Sequence, residues 1–180
     1  MKPFHSENRV ILFAVLSALL FFPTACGEDD KATDPTPDAA ATVAVGDADV
    51  SQSVPTEREA LKAFLESKGY AGFKAEPAPH ASSGPHGKVR TFVNDVLASS
   101  LAANAASHPR GAASVKELYS GDTIVGWAVL VKTQADSARG AGYFWYELLN
   151  GKVVIEGNGK SACTGCHSGG TDYVLTSFGS

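Results

Sequence analysis

The sequence of 180 residues lacks several features that mark common classes of protein. Its net charge is −4 and its pI is about 5.7, and Lys and Arg are scattered. Nothing therefore indicates binding to nucleic acid or to an anionic membrane surface. No internal repeat is visible, which excludes a repeat array. Methionine and cysteine are scarce, with one and three residues, whereas the 44% hydrophobic content suffices for one ordinary core.

The longest apolar run is short and lies near the N-terminus, at residues 10–22 after Lys2 and Arg9. It is too short to span a membrane comfortably and predicts a secretory signal. The run ends in PTACG, where Cys26 follows small residues, and this resembles the cleavage site of bacterial lipoproteins. We therefore expect a leader over residues 1–26 and a lipid on Cys26 that anchors the chain to the membrane. The alternative is ordinary signal cleavage, with Cys26 lost or left free.

Residues 27–55 contain no aromatic side chain and are rich in Asp, Ala, Pro and Thr. Such a segment cannot bury enough apolar surface to offset the entropy of ordering it, so it predicts a disordered tether. We therefore expect the folded domain to span residues 56–180.

The first half of this domain predicts two helices. A capping-box pattern of Thr56 and Glu59 precedes an apolar stripe, and Gly69 supplies a stop. A second helix before Pro109 is predicted from apolar residues at helical spacing. These are Val89, Phe92, Val93, Val96, Leu97 and Leu101.

The second half predicts strands, because β-branched and aromatic residues are frequent in it. The four runs are residues 114–119, 123–133, 142–149 and 152–156, with an Asn150-Gly151 turn before the last. Residues 172–176 form either a further short strand or a tail. Helices followed by consecutive strands predict an α+β domain with an antiparallel β-sheet flanked by helices.

A C-x-x-C-H motif, the attachment signature of c-type haem, occupies residues 163–167 near the C-terminus. Positions i, i+3 and i+4 share one face of a helical turn. The thiols of Cys163 and Cys166 can therefore reach the two vinyl groups at one haem edge, while His167 binds the iron. The sequence thus predicts one covalent haem c with His167 as its metal ligand.

Three other interpretations of the motif remain. A thioredoxin-type dithiol should follow a strand in a βαβ unit, whereas this motif follows antiparallel strands. A zinc site needs a fourth ligand and usually a second Cys or His pair, which the sequence lacks. A structural disulfide suits an exported protein but leaves His167 unexplained.

The single methionine bears on the sixth coordination position of the iron. Met1 is lost with the predicted leader, which excludes the His/Met axial pair of ordinary electron-carrying cytochromes c. An open or weakly filled position favours small-ligand binding. The alternative is a simple tethered electron carrier whose sixth ligand is Lys or His, with His86 the first candidate before His80 and His108.

Several segments together resemble the cytochrome P-460 family, which includes the cytochromes c′-beta. The similarity spans about residues 86–180. The segments are His86-Gly87, PRGAASVKE (109–117), GWAVLVK (126–132), YFWYE (143–147), and CTGCH followed by DYVLT (172–176). The resemblance implies an antiparallel sheet flanked by helices and a high-spin haem with His167 as the proximal ligand. It also implies either nitric oxide binding or oxidation of hydroxylamine-like compounds.

The resemblance also suggests roles for three side chains. Lys116 is the candidate for the lysine that is cross-linked to haem in hydroxylamine-oxidising members, or else a solvated strand residue. Trp145 is a candidate for the wall of the haem pocket. Glu147 shares a strand face with Trp145 by period two and is either a distal proton relay or an exposed carboxylate. We expect a periplasmic location and a redox protein partner, and the sequence leaves a homodimer open.

Overall fold

The computed structural model describes residues 53–176 and Phe178, which lie in one compact unit. Cys26, the predicted leader and most of the predicted tether fall outside the described residues. The α-helices are α1 (Arg58–Glu66), α2 (Asp95–Ala102) and α3 (Ser161–His167). The strands are β1 (Lys74–Ala75), β2 (His80–Ala81), β3 (Lys88–Val93), β4 (Ala113–Ser120), β5 (Thr123–Lys132), β6 (Tyr143–Leu149) and β7 (Lys152–Asn158). No helix within these residues is long and apolar enough to span a membrane.

All seven strands belong to one antiparallel sheet with the order β1-β3-β4-β5-β6-β7, and β2 pairs with β3. Strands β4 to β7 follow one another as an antiparallel meander, in which tight turns join β4 to β5 and β6 to β7 and a longer loop, residues 133–142, joins β5 to β6. Asn150 and Gly151 both have positive φ, 50° and 74°, as the tight turn between β6 and β7 requires. The predicted α+β class and antiparallel sheet are confirmed.

The prediction of a helix over residues 89–101 is wrong in its first half. Lys88–Val93 is strand β3, and helix α2 begins only at Asp95. The side chain of Asn94 caps α2 by accepting a hydrogen bond from the backbone N–H of Leu97, 3.0 Å away. Val89 and Val93 are four residues apart and imitate helical spacing, but both belong to the strand.

Helix α1 begins one residue later than the capping box implied. Its N-cap is Glu57 instead of Thr56, and the Glu57 carboxylate accepts hydrogen bonds from the backbone N–H groups of Glu59 and Ala60. Leu61 and Leu65 are buried beneath the helix, as its apolar stripe predicted. Ordered packing starts before Thr56, since Val54, in the predicted tether, is 6% exposed and packs in the core.

Each face of the sheet carries its own hydrophobic core. On one face α1 packs with aromatic and aliphatic residues of β3 to β6, among them Phe92, Val115 and Tyr146. On the other face Leu97 of α2 packs with Leu130, Tyr143 and Trp145. This second core covers only one end of its face, and a cavity occupies the other end, next to α3.

Candidate functional site

A cavity of about 660 Å³ lies between the sheet, helix α3 and the loop of residues 82–86; we call it the α3 cavity. Its volume falls within the roughly 300–1,000 Å³ typical of pockets for small molecules and cofactors. The apolar part of its lining includes Leu130, Trp145, Ile155 and Val174. An apolar hollow of this size suits a large, mostly apolar ligand better than a single ion.

The floor of the α3 cavity is set by strand register. One row of directly opposed residues crosses the sheet in the order Thr91, Lys116, Ala128, Glu147, Ile155. Opposed residues of paired strands project from the same face, so Lys116 and Glu147 share the floor with only Ala128 between them. Trp145 lies two residues before Glu147 and also lines the cavity, which confirms that the two share a face.

Helix α3 brings the C-x-x-C-H residues to the wall opposite this floor. Cys163, Cys166 and His167 all line the cavity, as their positions one helical turn apart predicted. The two cysteines are free thiols in the structure. Burial, followed by the negative charge of Glu147, raises the pKa of Cys163 to about 11. A thiol protonated at neutral pH argues against a low-pKa redox dithiol at this position.

His167 is oriented by two contacts. Its Nδ1 lies 2.9 Å from the backbone carbonyl oxygen of Tyr173, and its ring centroid lies 4.8 Å from that of Trp145 at an interplanar angle of 73°. Because a carbonyl only accepts hydrogen bonds, we assign the proton to Nδ1, which leaves the lone pair on Nε2 for a ligand. Burial lowers the pKa of His167 and keeps the ring neutral, as metal ligation requires.

The donor set fits a haem better than a zinc ion. Among residues 53–176 and Phe178, no three or more His, Cys, Asp or Glu side chains are arranged to hold a metal ion. A structural zinc site needs four such ligands, whereas a haem iron needs one imidazole from the wall that carries the thiols. Two thiols, one imidazole and an apolar hollow therefore meet the requirements of a c-type haem.

Three polar side chains face α3 from other parts of the cavity. Burial lowers the pKa of Lys116 and raises that of Glu147. Nδ1 of His86, in the 82–86 loop, lies 3.9 Å from a Glu147 carboxylate oxygen. Burial, and then the positive charge of Lys116, lower the pKa of His86 to about 4. The imidazole is neutral at pH 7, so its contact with Glu147 is not an ion pair.

The two other candidate histidines, His80 of β2 and His108 of the loop after α2, occupy different environments. His80 lines the cavity, but its side chain is 52% exposed and its Nε2 lies 3.0 Å from the Glu76 carboxylate. His108 is 2% exposed and lies outside the α3 cavity, with its Nδ1 2.8 Å from the Ser100 hydroxyl. His86 is therefore the half-buried histidine of the 82–86 loop that lines the cavity.

Sequence reasoning missed the residues that hold the segment after α3. Lys132, fully buried at the end of β5, forms an ion pair with Asp172, and the next residue, Tyr173, supplies the carbonyl that contacts His167. The one signal in the sequence was a lysine at the end of an apolar strand. Nothing in the sequence identified its partner.

No protein-family model matches the chain, and no curated protein matches it. The site therefore rests on its own geometry.

Proposed function

We propose that the chain is an exported mono-haem c-type cytochrome of the cytochrome P-460 type, with haem attached through Cys163 and Cys166 and iron held by His167. Its sixth coordination position is open or weakly filled, and it binds nitric oxide or oxidises hydroxylamine-like compounds. The observation that carries the proposal is that both thiols and the imidazole face one large, mostly apolar cavity, and that within residues 53–176 and Phe178 the hydrogen bond of the His167 ring is made by Nδ1 and not by Nε2.

Different residues of the cavity would contribute different contacts to a bound haem. Cys163 and Cys166 supply the thiols, and His167 supplies a neutral imidazole oriented by Tyr173 and Trp145. Apolar side chains such as Leu130 and Ile155 line the hollow and would pack against the apolar faces of such a group. A haem bound there supplies an iron that binds small ligands and exchanges single electrons.

The polar floor supports chemistry on small nitrogen compounds. Glu147 is 20% exposed, and burial raises the pKa of its carboxyl above the ordinary value, the direction that suits a group that gives up and takes back a proton. Lys116 lies two positions from Glu147 along the same row of opposed residues. Burial lowers its pKa, which favours the neutral amine, the nucleophilic form. This combination supports the resemblance to cytochrome P-460, in which a lysine is cross-linked to haem.

Mass spectrometry separates the two branches of that family. Proteolysis of the mature protein should release the 163–167 segment with haem attached. Additional attachment of the Lys116 peptide supports hydroxylamine oxidation, and its absence supports nitric oxide binding. Lys116→Arg keeps the positive charge. It should abolish attachment of the residue 116 peptide to haem in the first case, and in the second case it should leave the set of peptides attached to haem unchanged.

A simple tethered electron carrier is the second candidate, and His86 is the observation that favours it. Its imidazole is half-buried, neutral at pH 7 and lines the cavity close to Glu147, so it would be available as a sixth ligand if a haem were bound. The location and the partners follow from the sequence for both candidates. Each is periplasmic, lipid-anchored through Cys26 and served by a redox protein partner.

Optical spectra of the purified protein test the proposal. We expect a high-spin ferric spectrum and a ferrous form that binds nitric oxide readily. A low-spin spectrum in both oxidation states, unresponsive to nitric oxide or carbon monoxide, would contradict it. His86→Ala then identifies the electron carrier if it converts low-spin to high-spin. His80→Ala, which alters an exposed residue of the same cavity, is the control and should change neither spectrum.

A further inference from the structure

The segment directly after α3 forms a tight turn over residues 171–174, with the backbone N–H of Val174 donating to the carbonyl of Thr171 at 2.9 Å. Both central residues, Asp172 and Tyr173, have positive φ, 48° and 67°. This conformation is typical of a type I′ turn, which favours Asn-Gly. A Tyr in this region is an uncommon, strained choice, costing about 1 kcal/mol or more. Something outside the turn must hold it.

A buried ion pair supplies that constraint. The Lys132 side chain is 0% exposed and that of Asp172 is 6% exposed, and Nζ lies 2.5 Å from Oδ2. The same oxygen accepts hydrogen bonds from the Ser107 hydroxyl at 3.0 Å and from the backbone N–H of His108 at 2.7 Å. The second oxygen, Oδ1, accepts from the Ser137 hydroxyl.

Four donors from three separate segments thus converge on one carboxylate. Two come from the loop after α2, one from the end of β5 and one from the loop before β6. Buried ion pairs are on their own weak devices for stability, because desolvation offsets most of their attraction. A fully satisfied carboxylate held from three directions is instead well suited to fix a position.

The next peptide group along the chain is the one that contacts His167. The carbonyl of Tyr173, directly after Asp172, lies 2.9 Å from Nδ1 of the imidazole. The Tyr173 ring in turn packs 6.0 Å from the ring of Tyr143, over which the Lys132 ammonium lies at 5.4 Å. The Lys132–Asp172 ion pair and the hydrogen bond between Tyr173 and His167 therefore involve adjacent residues of the same turn.

We propose that Asp172 is a positioning residue for His167. Its ion pair with Lys132 holds the 171–174 turn in its strained conformation, and the turn aims the Tyr173 carbonyl at Nδ1. The carbonyl fixes the Nδ1–H tautomer, orients the ring and increases the donor strength of Nε2. The inference rests on the proposed function only where it concerns haem, since the tautomer of His167 is a property of the chain itself.

A haem held by His167 would have a lowered reduction potential. A stronger imidazole donor favours the ferric over the ferrous iron, so loss of the hydrogen bond raises the potential. Loss of an outer partner of a metal-binding His typically costs about 10- to 100-fold in metal affinity or activity, and we take the lower end of this range as the expected change in the preference for ferric iron. A tenfold loss of the ferric preference corresponds to a rise of about 59 mV for a one-electron couple.

The test compares two variants that remove the same charge. Asp172→Ala removes the carboxylate and puts Ala in an unfavourable conformation. The double variant Asp172→Asn/Tyr173→Gly also lacks the carboxylate but creates the Asn-Gly sequence that forms this turn unaided. We expect the reduction potential of Asp172→Ala to rise by an amount that corresponds to a tenfold or larger loss of the preference for ferric iron. The potential of the double variant should return toward the wild-type value. Tyr173→Gly alone controls for loss of the ring.

If Asp172→Ala folds, either of two outcomes overturns the inference. An unchanged potential in Asp172→Ala shows that the turn does not depend on the ion pair. A double variant that keeps the full shift shows that Asp172 acts through its charge and not through the turn. If Asp172→Ala does not fold, Ser137→Ala, which removes one donor to Oδ1, should move the potential in the same direction by a smaller amount, and an unchanged potential there overturns the inference equally.

A haem-independent readout separates this inference from the proposed function. The ¹⁵N NMR shifts of the His167 ring report which nitrogen carries the proton. If the purified chain carries no haem, the proposed function fails, yet the inference still predicts the Nδ1–H tautomer in the wild type and a mixture of tautomers in Asp172→Ala. Identical tautomer populations in the two proteins would refute it.

Discussion

The indole of Trp145 meets the imidazole of His167 edge-on, with the ring centroids 4.8 Å apart and an interplanar angle of 73°. This contact joins the floor of the α3 cavity to the helix that carries the C-x-x-C-H motif. Helix α3 has no side-chain N-cap hydrogen bond, and none of its seven residues is buried. Its position therefore depends on a few contacts, of which the one with Trp145 is central.

Trp145→Ala should destabilise the protein by about 3–5 kcal/mol, the usual cost of removing a buried Trp from a core. Trp145 is 3% exposed, so the substitution leaves a void between β6 and α3. Denaturant unfolding measures the loss. Val154→Ala, at a side chain that is 54% exposed, is the control and should change the free energy of unfolding by no more than about 0.5 kcal/mol. Equal effects of the two variants would contradict the assigned role.

The double variant Cys163→Ala/Cys166→Ala should be unstable or degraded when expressed. If about 400 Å² of apolar surface is buried against a haem, the area coefficient gives roughly 10 kcal/mol, comparable with the stability of a whole domain. Protein yield and thermal unfolding measure the effect. A double variant with wild-type stability would show that the fold does not depend on a group attached to these thiols.

Glu147→Gln should slow any proton-coupled oxidation of hydroxylamine by about 10²- to 10⁴-fold, because a positioned acid or base contributes a factor of that size. Nitric oxide affinity should change little, since simple binding moves no proton. Glu156→Gln is the matched control: Glu156 lies on the neighbouring strand β7 and pairs with Arg58 of α1, on the opposite face of the sheet. Similar rates for both variants would remove Glu147 from the mechanism.

Two histidines of the cavity should affect acid stability with opposite signs. The pKa of His86 is lowered to about 4, so between pH 6.5 and 4 the unfolded chain binds a proton that the folded chain does not bind. The free energy of unfolding therefore decreases as the pH is lowered through this range. His86→Asn should remove this loss, which amounts to at most about 3 kcal/mol.

His80 supplies the comparison of opposite sign. The Ala81 carbonyl, and then Glu76, raise the pKa of His80, so its proton stabilises the fold below pH 6.5 and the gain is lost as pH rises through the folded value. His80→Asn should therefore weaken the protein at acid pH relative to neutral pH. Free energies of unfolding from pH 7 to pH 4 measure both effects. The assigned environments are wrong if the two variants shift the pH dependence in the same direction.

The part of the fold that the sequence predicted well has strong local signals. Strands β4 to β7 alternate or carry β-branched and aromatic residues, and Asn150-Gly151 marks the last hairpin. The β3–α2 region failed because its apolar spacing fits both a strand and a helix. Asn94, a good N-cap residue, was the local sign that a helix starts only at Asp95.

In the candidate site, too, the features with a local sequence pattern were predictable and the non-local contacts were not. Periodicity alone predicts that Cys163 and Cys166 share one face of a helical turn. It likewise predicts that Trp145 and Glu147 share one face of a strand. The pairing of Lys132 with Asp172 does not, because the two residues meet only after β5 and the segment beyond α3 have packed together. Non-local contacts between polar residues carry no local pattern that a single sequence displays.

The intact mass of the mature chain, purified from a host that matures c-type cytochromes, tests the central claim most directly. Covalent attachment at Cys163 and Cys166 predicts a mass above that of the polypeptide by one haem, retained under denaturing conditions and lost in the double Cys→Ala variant. A wild-type chain with the mass of the polypeptide alone would contradict the claim.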